Sequence, residues 1–147
     1  MILSAAQIVR RLEQKGDEGK IVIRPYNRES QQPASYDLRA ADEICLSRGV
    51  CTLMPTLEWV ELPRDLAGTI RCRSSFGRRG VLLGAGFVDP GFRGQLTLCL
   101  TNLGNEELII SKNDRVAQII LHEVCNPAES YHGRYQDSCG AVQAKYP

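Results

Sequence analysis

Two stretches hold the side chains best suited to chemistry. Residues 84–102, GAGFVDPGFRGQLTLCLTN, place a single acid, Asp89, at a Pro-Gly corner, with the aromatic Phe92 shortly after it. A carboxylate there can take a proton from water lying against the strand that follows. Asp-Pro-Gly is equally the chemistry of an ordinary turn, with Asp first and Pro second. Residues 73–80, RSSFGRRG, gather two hydroxyls, loop amides and the guanidinium groups of Arg73, Arg78 and Arg79. Arginine's planar fork suits phosphate oxygens, so this cluster reads as a polyphosphate cradle or, alternatively, as a solvated basic turn. It lacks the G-x-x-x-x-G-K-[ST] pattern of a P-loop. Asp37, in ASYDLR, either orients a metal-bound water or closes a strand end through a backbone hydrogen bond. Gln118 interrupts an apolar run, and a buried amide there must find a backbone or ligand partner. His122 and His132 are isolated, so no Ser-His-Asp or Cys-His arrangement is legible.

The elements that must position these groups are mostly short strands. Ser4 and Gln7 form a capping box, Ile8, Val9 and Leu12 make one apolar stripe, and Gly16 is a stop signal, which predicts a helix over 4–15. Strands are expected at 20–24, 35–40, 44–47, 50–54, 57–62, 68–73, 81–83, 107–110 and 115–124, with turns at Arg48-Gly49 and Met54-Pro55. After the Asp89 corner, Leu96, Leu98 and Leu100 alternate with Gln95, Thr97, Cys99 and Thr101, the mark of a strand with one packed and one free face. Residues 26–33 and 74–80 read as loops, and 131–147 as a polar tail. The sum is an all-β single domain, 1–147, of sandwich, jelly-roll or barrel type with one leading helix.

Composition narrows the function. Eighteen basic and 17 acidic residues leave a net charge of +1, so no global field selects nucleic acid or an anionic membrane. No apolar run is long enough to cross a bilayer, and the N-terminus is too polar for a signal peptide. The six cysteines form no C-x-x-C pair, which argues against a zinc site and for reduced, buried thiols in a cytoplasmic protein.

Taken in order, QPASYDLRA, RSSFGRRG, GFVDPGFRGQLTLCLTN, NDRVAQI and GRYQDSCG resemble the motif series of the trimeric dUTPases and dCTP deaminases. The start, MILSAAQIV…GKIVIRPY, is similar to the opening of the deaminase branch. The resemblance implies a jelly-roll-like (β-clip) subunit in a homotrimer with active sites between subunits. It implies a deoxypyrimidine triphosphate ligand and Mg²⁺ held indirectly through its phosphates, with Asp37 reaching the metal through water. Arg73, Ser74, Ser75, Arg78 and Gln118 would hold the triphosphate. Asp89 would contact the sugar hydroxyl and the attacking water, Phe92 would stack beneath the deoxyribose, and Gly84, Ala85 and Gly86 would meet the base through their backbone. Tyr131, Arg134, Tyr135 and Ser138 would belong to a tail, 131–147, that closes over the ligand.

Deaminases resembling this chain carry a glutamate where Cys99 stands. A thiol is a poor proton shuttle between water, ring nitrogen and leaving amine, and the zinc-deaminase signature is absent. The expectation is therefore a dUTP diphosphatase that forms dUMP and pyrophosphate with Asp89 activating water. The alternatives are a dCTP deaminase, a bifunctional enzyme, or a nucleotide-binding regulator without turnover.

Overall fold

The computed structural model describes residues 1–84, 86–127 and 129–146. Helix α1 (Ala5–Glu13) starts where the sequence places it: Ser4 Oγ accepts the Gln7 N–H, and the Gln7 side chain accepts the Ser4 N–H at 2.8 Å. Ile8 is its buried residue. Among the described residues no helix is long and apolar enough to cross a membrane.

Apart from short helical turns, the rest of the described chain is built on antiparallel strands, as the all-β reading requires. One sheet runs β1 (Val22–Arg24), β5 (Cys51–Glu61), β9 (Arg93–Asn102) and β7 (Val81–Gly84). A second runs β2 (Gln31–Gln32), β3 (Ser35–Arg39), β11 (Arg115–Glu123), β6 (Leu66–Cys72) and β8 (Phe87–Val88), and β4 (Ile44–Leu46) pairs with β10 (Leu108–Ile110). The core draws Leu98 and Leu100 from β9, Met54 and Val60 from β5, Leu38 from β3 and Ile119 from β11, each essentially inaccessible to water. On β9 the leucines are buried and Gln95, Thr97, Cys99 and Thr101 are half-exposed, so the period-two reading of that strand holds.

Three local expectations need correction. The turn at Met54-Pro55 is a register shift inside a single strand, β5, between Pro55 and Trp59. Proline has no N–H to give a ladder, and a strand accommodates it at an irregularity of this kind. Thr56 repairs the gap, since its hydroxyl accepts the Leu96 N–H at 3.0 Å and its carbonyl accepts Gln95 Nε2 at 2.9 Å. The loop after Arg73 contains a helical turn, α2 (Ser74–Gly77), because Arg73 C=O accepts the N–H groups of both Phe76 and Gly77 at 3.0 Å. Phe76 packs against the core and so anchors that turn. The cysteines are free, but they are not buried: Cys45, Cys51, Cys125 and Cys139 are exposed, and Cys72 and Cys99 are half-buried.

Candidate active site

The polar face of β9 floors a cavity of about 640 Å³, a volume suited to a small organic ligand. Gln95, Thr97 and Cys99 line it from the floor, Gly84 and Gly86 from the neighbouring hairpin, and Phe92 and Asp89 from the corner before the strand. Asp89 is exposed and is the one carboxylate among the described lining residues. Its backbone does make the turn that Asp-Pro-Gly foretells, with Asp89 C=O accepting the Phe92 N–H at 3.2 Å. The turn and the chemical reading are therefore compatible, because the turn is what aims the carboxylate at the cavity. Gly86 offers less to a ligand than its neighbours, since its carbonyl already accepts the Ile70 N–H at 2.6 Å. Ala85 lies outside the described residues. Burial, then the nearby Cys51 thiol, pushes the Cys99 pKa up, so Cys99 stays a protonated thiol at neutral pH.

The tail of the same chain closes one side of this cavity. Tyr131 N–H donates to Pro90 C=O at 2.7 Å, and the Tyr131 ring sits 5.8 Å from that of Phe92, tilted against it. Ser138 C=O accepts the Gln95 N–H at 2.8 Å, Gly140 N–H donates to Gln95 Oε1 at 2.7 Å, and Val142 N–H donates to Thr97 Oγ1 at 3.0 Å. Tyr131, Tyr135 and Ser138 thus reach the cavity. Arg134 does not line it; its Nη1 donates to Lys145 C=O at 2.8 Å, within the tail itself.

None of the residues expected to hold phosphate lines that cavity. Ser74, Ser75 and Arg78 are exposed on and beside α2. Arg73 and Gln118 belong instead to a polar cluster on β3, β11 and β6, where Gln118 stands opposite Asp37 on one side and Arg71 on the other. Ser35 Oγ donates to Gln118 Oε1 at 3.0 Å, so the amide finds a side-chain partner. Asp37 is 1% exposed and lies in the middle of β3, not at a strand end. Its Oδ2 is 3.1 Å from Arg73 Nε and 3.6 Å from Arg115 Nη1. No N–H is aimed at that oxygen, so the contact is an ion pair without a hydrogen bond. Burial raises the Asp37 pKa, and Arg73 and then Arg115 pull it back.

These donors do not fit a protein-held Mg²⁺. Two guanidinium groups face the only acid of the cluster, and no group of three or more His, Cys, Asp or Glu occurs among the described residues. Two parts of the arrangement escaped sequence reading. Arg115 is the third residue of NDRVAQI, but the bulge between Arg115 and Ala117 decides what it faces, and that is invisible in the sequence. The buried pair of Glu58 and Arg39 left no signal at all; Arg39 Nε donates to Glu58 Oε1 at 2.6 Å and Arg39 N–H to Oε2 at 2.9 Å.

Comparison with known proteins bears on both fold and family. The chain resembles a dUTPase of EIAV (TM-score 0.63, 19% identity, 79% of this chain and 98% of that one). It also resembles a 2'-deoxycytidine 5'-triphosphate deaminase from Agrobacterium tumefaciens (TM-score 0.67, 20% identity, 82% of this chain and 47% of that one). At such identities the likeness establishes the fold. Curated relatives are nearer in sequence: a dCTP deaminase of Thermococcus sibiricus is 38% identical, covering 81% of this chain and 86% of its own. A "dCTP deaminase, dUMP-forming" of Halobacterium salinarum is 41% identical over 67% of this chain and 54% of its own. These names overturn the expectation of a dUTP diphosphatase, which rested on Cys99 replacing a glutamate. Position 99 does face the cavity, but Asp89 shares that cavity, so the loss of one carboxylate does not strip it of all. The sequence pattern described as dCTP deaminase-like matches residues 39–124, and with relatives at this identity across four-fifths of its length the chain belongs to the dCTP deaminase-like family.

Proposed function

We propose that the protein binds dCTP and replaces the 4-amino group of its cytosine with oxygen, releasing ammonia and leaving dUTP. The observation that carries this reading is the run of curated relatives named dCTP deaminase, at 37–38% identity over more than four-fifths of the chain. The cavity is compatible with it. Water adds to C4 of the ring and the C4–N bond breaks, so both protons must leave the water, one ending on ring N3 and one on the departing amine. Asp89 is the lining carboxylate able to accept the first and return it. The Thr97 hydroxyl, whose oxygen accepts the Val142 N–H, keeps its own O–H to donate to the base edge, while the Gln95 amide is held by Thr56 and Gly140. Mg²⁺ in this reading arrives on the nucleotide and supplies charge neutralisation to its phosphates.

The triphosphate belongs with the arginine cluster, which does not share the cavity within one chain. A homotrimer whose sites combine the cavity of one copy with the arginines of the next resolves that separation. Leu82 and Phe87, 57% and 66% exposed, provide apolar surface for such packing, with Phe87 on the cavity's own rim.

A second reading is favoured by one observation, the protonated thiol of Cys99 on the cavity floor: a dCTP-binding regulator that does not turn its ligand over. Ammonia release distinguishes them. The protein incubated with dCTP and Mg²⁺ should release ammonia, and Asp89→Asn should lower the rate by about 10²-fold or more while leaving nucleotide binding in place. Saturable dCTP binding with no ammonia would replace the first reading by the second.

A further inference from the structure

The acid of the arginine cluster faces two cations in the protein itself, apart from any contact through water with a nucleotide-borne metal. Asp37 is 1% exposed, its Oδ2 accepts no hydrogen bond, and two guanidinium groups converge on that oxygen at 3.1 and 3.6 Å. Burying a carboxylate is costly, and the two cations set against its oxygen offset part of that cost. Those cations would otherwise repel one another. Arg71 and Asp37 flank Gln118 on one face of the sheet, and Arg73 and Arg115 close around the same oxygen. Arg73 is further fixed by Nη1, which donates to Arg115 C=O at 3.2 Å, and by its backbone N–H, which donates to Val116 C=O at 2.9 Å. Its guanidinium remains 31% exposed by side chain, so one edge is free for an anion.

We infer that Asp37 is a positioning residue: it holds Arg73 and Arg115 side by side over a buried negative charge and so presents their outer N–H groups to a polyphosphate. This rests on the triphosphate reading of the cluster and deepens it, because it makes the grip depend on an acid that never touches the ligand. A fork held in one place loses less side-chain freedom on binding, which is where the affinity arises.

Inorganic triphosphate is the probe, read by calorimetry and needing no turnover. Asp37→Asn should weaken its binding by about tenfold. The same variant should bind deoxycytidine, which has no phosphate, as the unaltered protein does. In an Arg73→Met background, Asp37→Asn should have no further effect. Unchanged or tighter binding of triphosphate would overturn the inference, since Asp37 would then be a bystander or a competitor for Arg73. An undiminished Asp37→Asn effect in the Arg73→Met background would overturn it as well. If Asp37→Asn does not fold, the unaltered protein still decides: the Nε order parameters of Arg73 and Arg115 should exceed that of exposed Arg78, and equal values would refute the arrangement. Failure of dCTP to yield ammonia, with the triphosphate results intact, would remove deamination and leave this inference standing.

Discussion

Asp37 and Glu58 are acids that the fold has taken out of water, at 1% and 0% exposure, and each meets arginine there. Burial raises both pKa values above the ordinary 3.8 and 4.5, and the arginine partners only partly oppose it. Within the window between those ordinary values and the raised folded ones, the folded protein holds more protons than the unfolded chain. Stability contributed by these two groups is therefore present at the acid end and falls as pH rises through the window. Asp137 works in the opposite sense, since Arg93 lowers its pKa. The informative measurement is thus a comparison: urea midpoints followed upward from about pH 4 should decline less steeply for Asp37→Asn than for the unaltered protein. Parallel profiles would mean that Asp37 titrates alike in both states. Asp37 shows why single residues were only half legible. Its type and its motif stood out in the sequence, but Arg73 and Arg115 come to it only through the pairing of β3 with β11 and of β11 with β6.

Elements with a regular local pattern are legible in the sequence, and those whose bonds run to side chains or to distant backbone are not. The alternation of β9 and the capping box of α1 are local signals, and both held. Strand β5 looks like two in the sequence because its ladder is completed by Thr56 across a proline, a repair that no periodicity encodes. The tail has no period because its partners lie on β9, more than forty residues back in the chain. Gly94 marks where the two meet. Its φ is +149°, and a Cβ built there would fall 2.9 Å from Ser138 N and 3.2 Å from the Phe92 ring. Gly94→Ala should therefore strain β9 locally and push the tail off the strand, which also frees Thr97 Oγ1 and Gln95 Oε1. Hydrogen exchange at the Gly140 and Val142 amides should accelerate by at least about tenfold while the buried strand amides of β11 stay protected. Unchanged exchange at those two amides would show that the tail does not depend on this crossing.

At the scale of the whole molecule, the run of short strands marks the all-β architecture and the order of the motifs marks the family, while the choice of base chemistry is not legible. That choice turns on Cys99 and on the absent zinc-deaminase signature, whereas the cavity holds several chemically competent groups, Asp89 among them. The cavity and the arginine cluster do not meet within one chain, since Arg73, Ser74, Ser75, Arg78 and Gln118 are all missing from the cavity wall. Closed symmetry offers a way to join them, because in a ring of copies each cavity can face the neighbour's arginines. The consequence is testable with two inactive proteins. Asp89→Asn damages the cavity, and Arg73→Met damages the phosphate grip, so neither should release ammonia from dCTP at more than a trace. Unfolded together in equal amounts and refolded, they assort at random. A site then works only when its cavity comes from the Arg73→Met chain and its arginines from the Asp89→Asn chain, which gives about a quarter of normal activity. Each variant refolded alone should stay inactive. Should the mixture stay inactive too, although mixed assemblies are present by mass measurement, the two half-sites would have to be completed within a single chain by a movement of α2 toward the cavity.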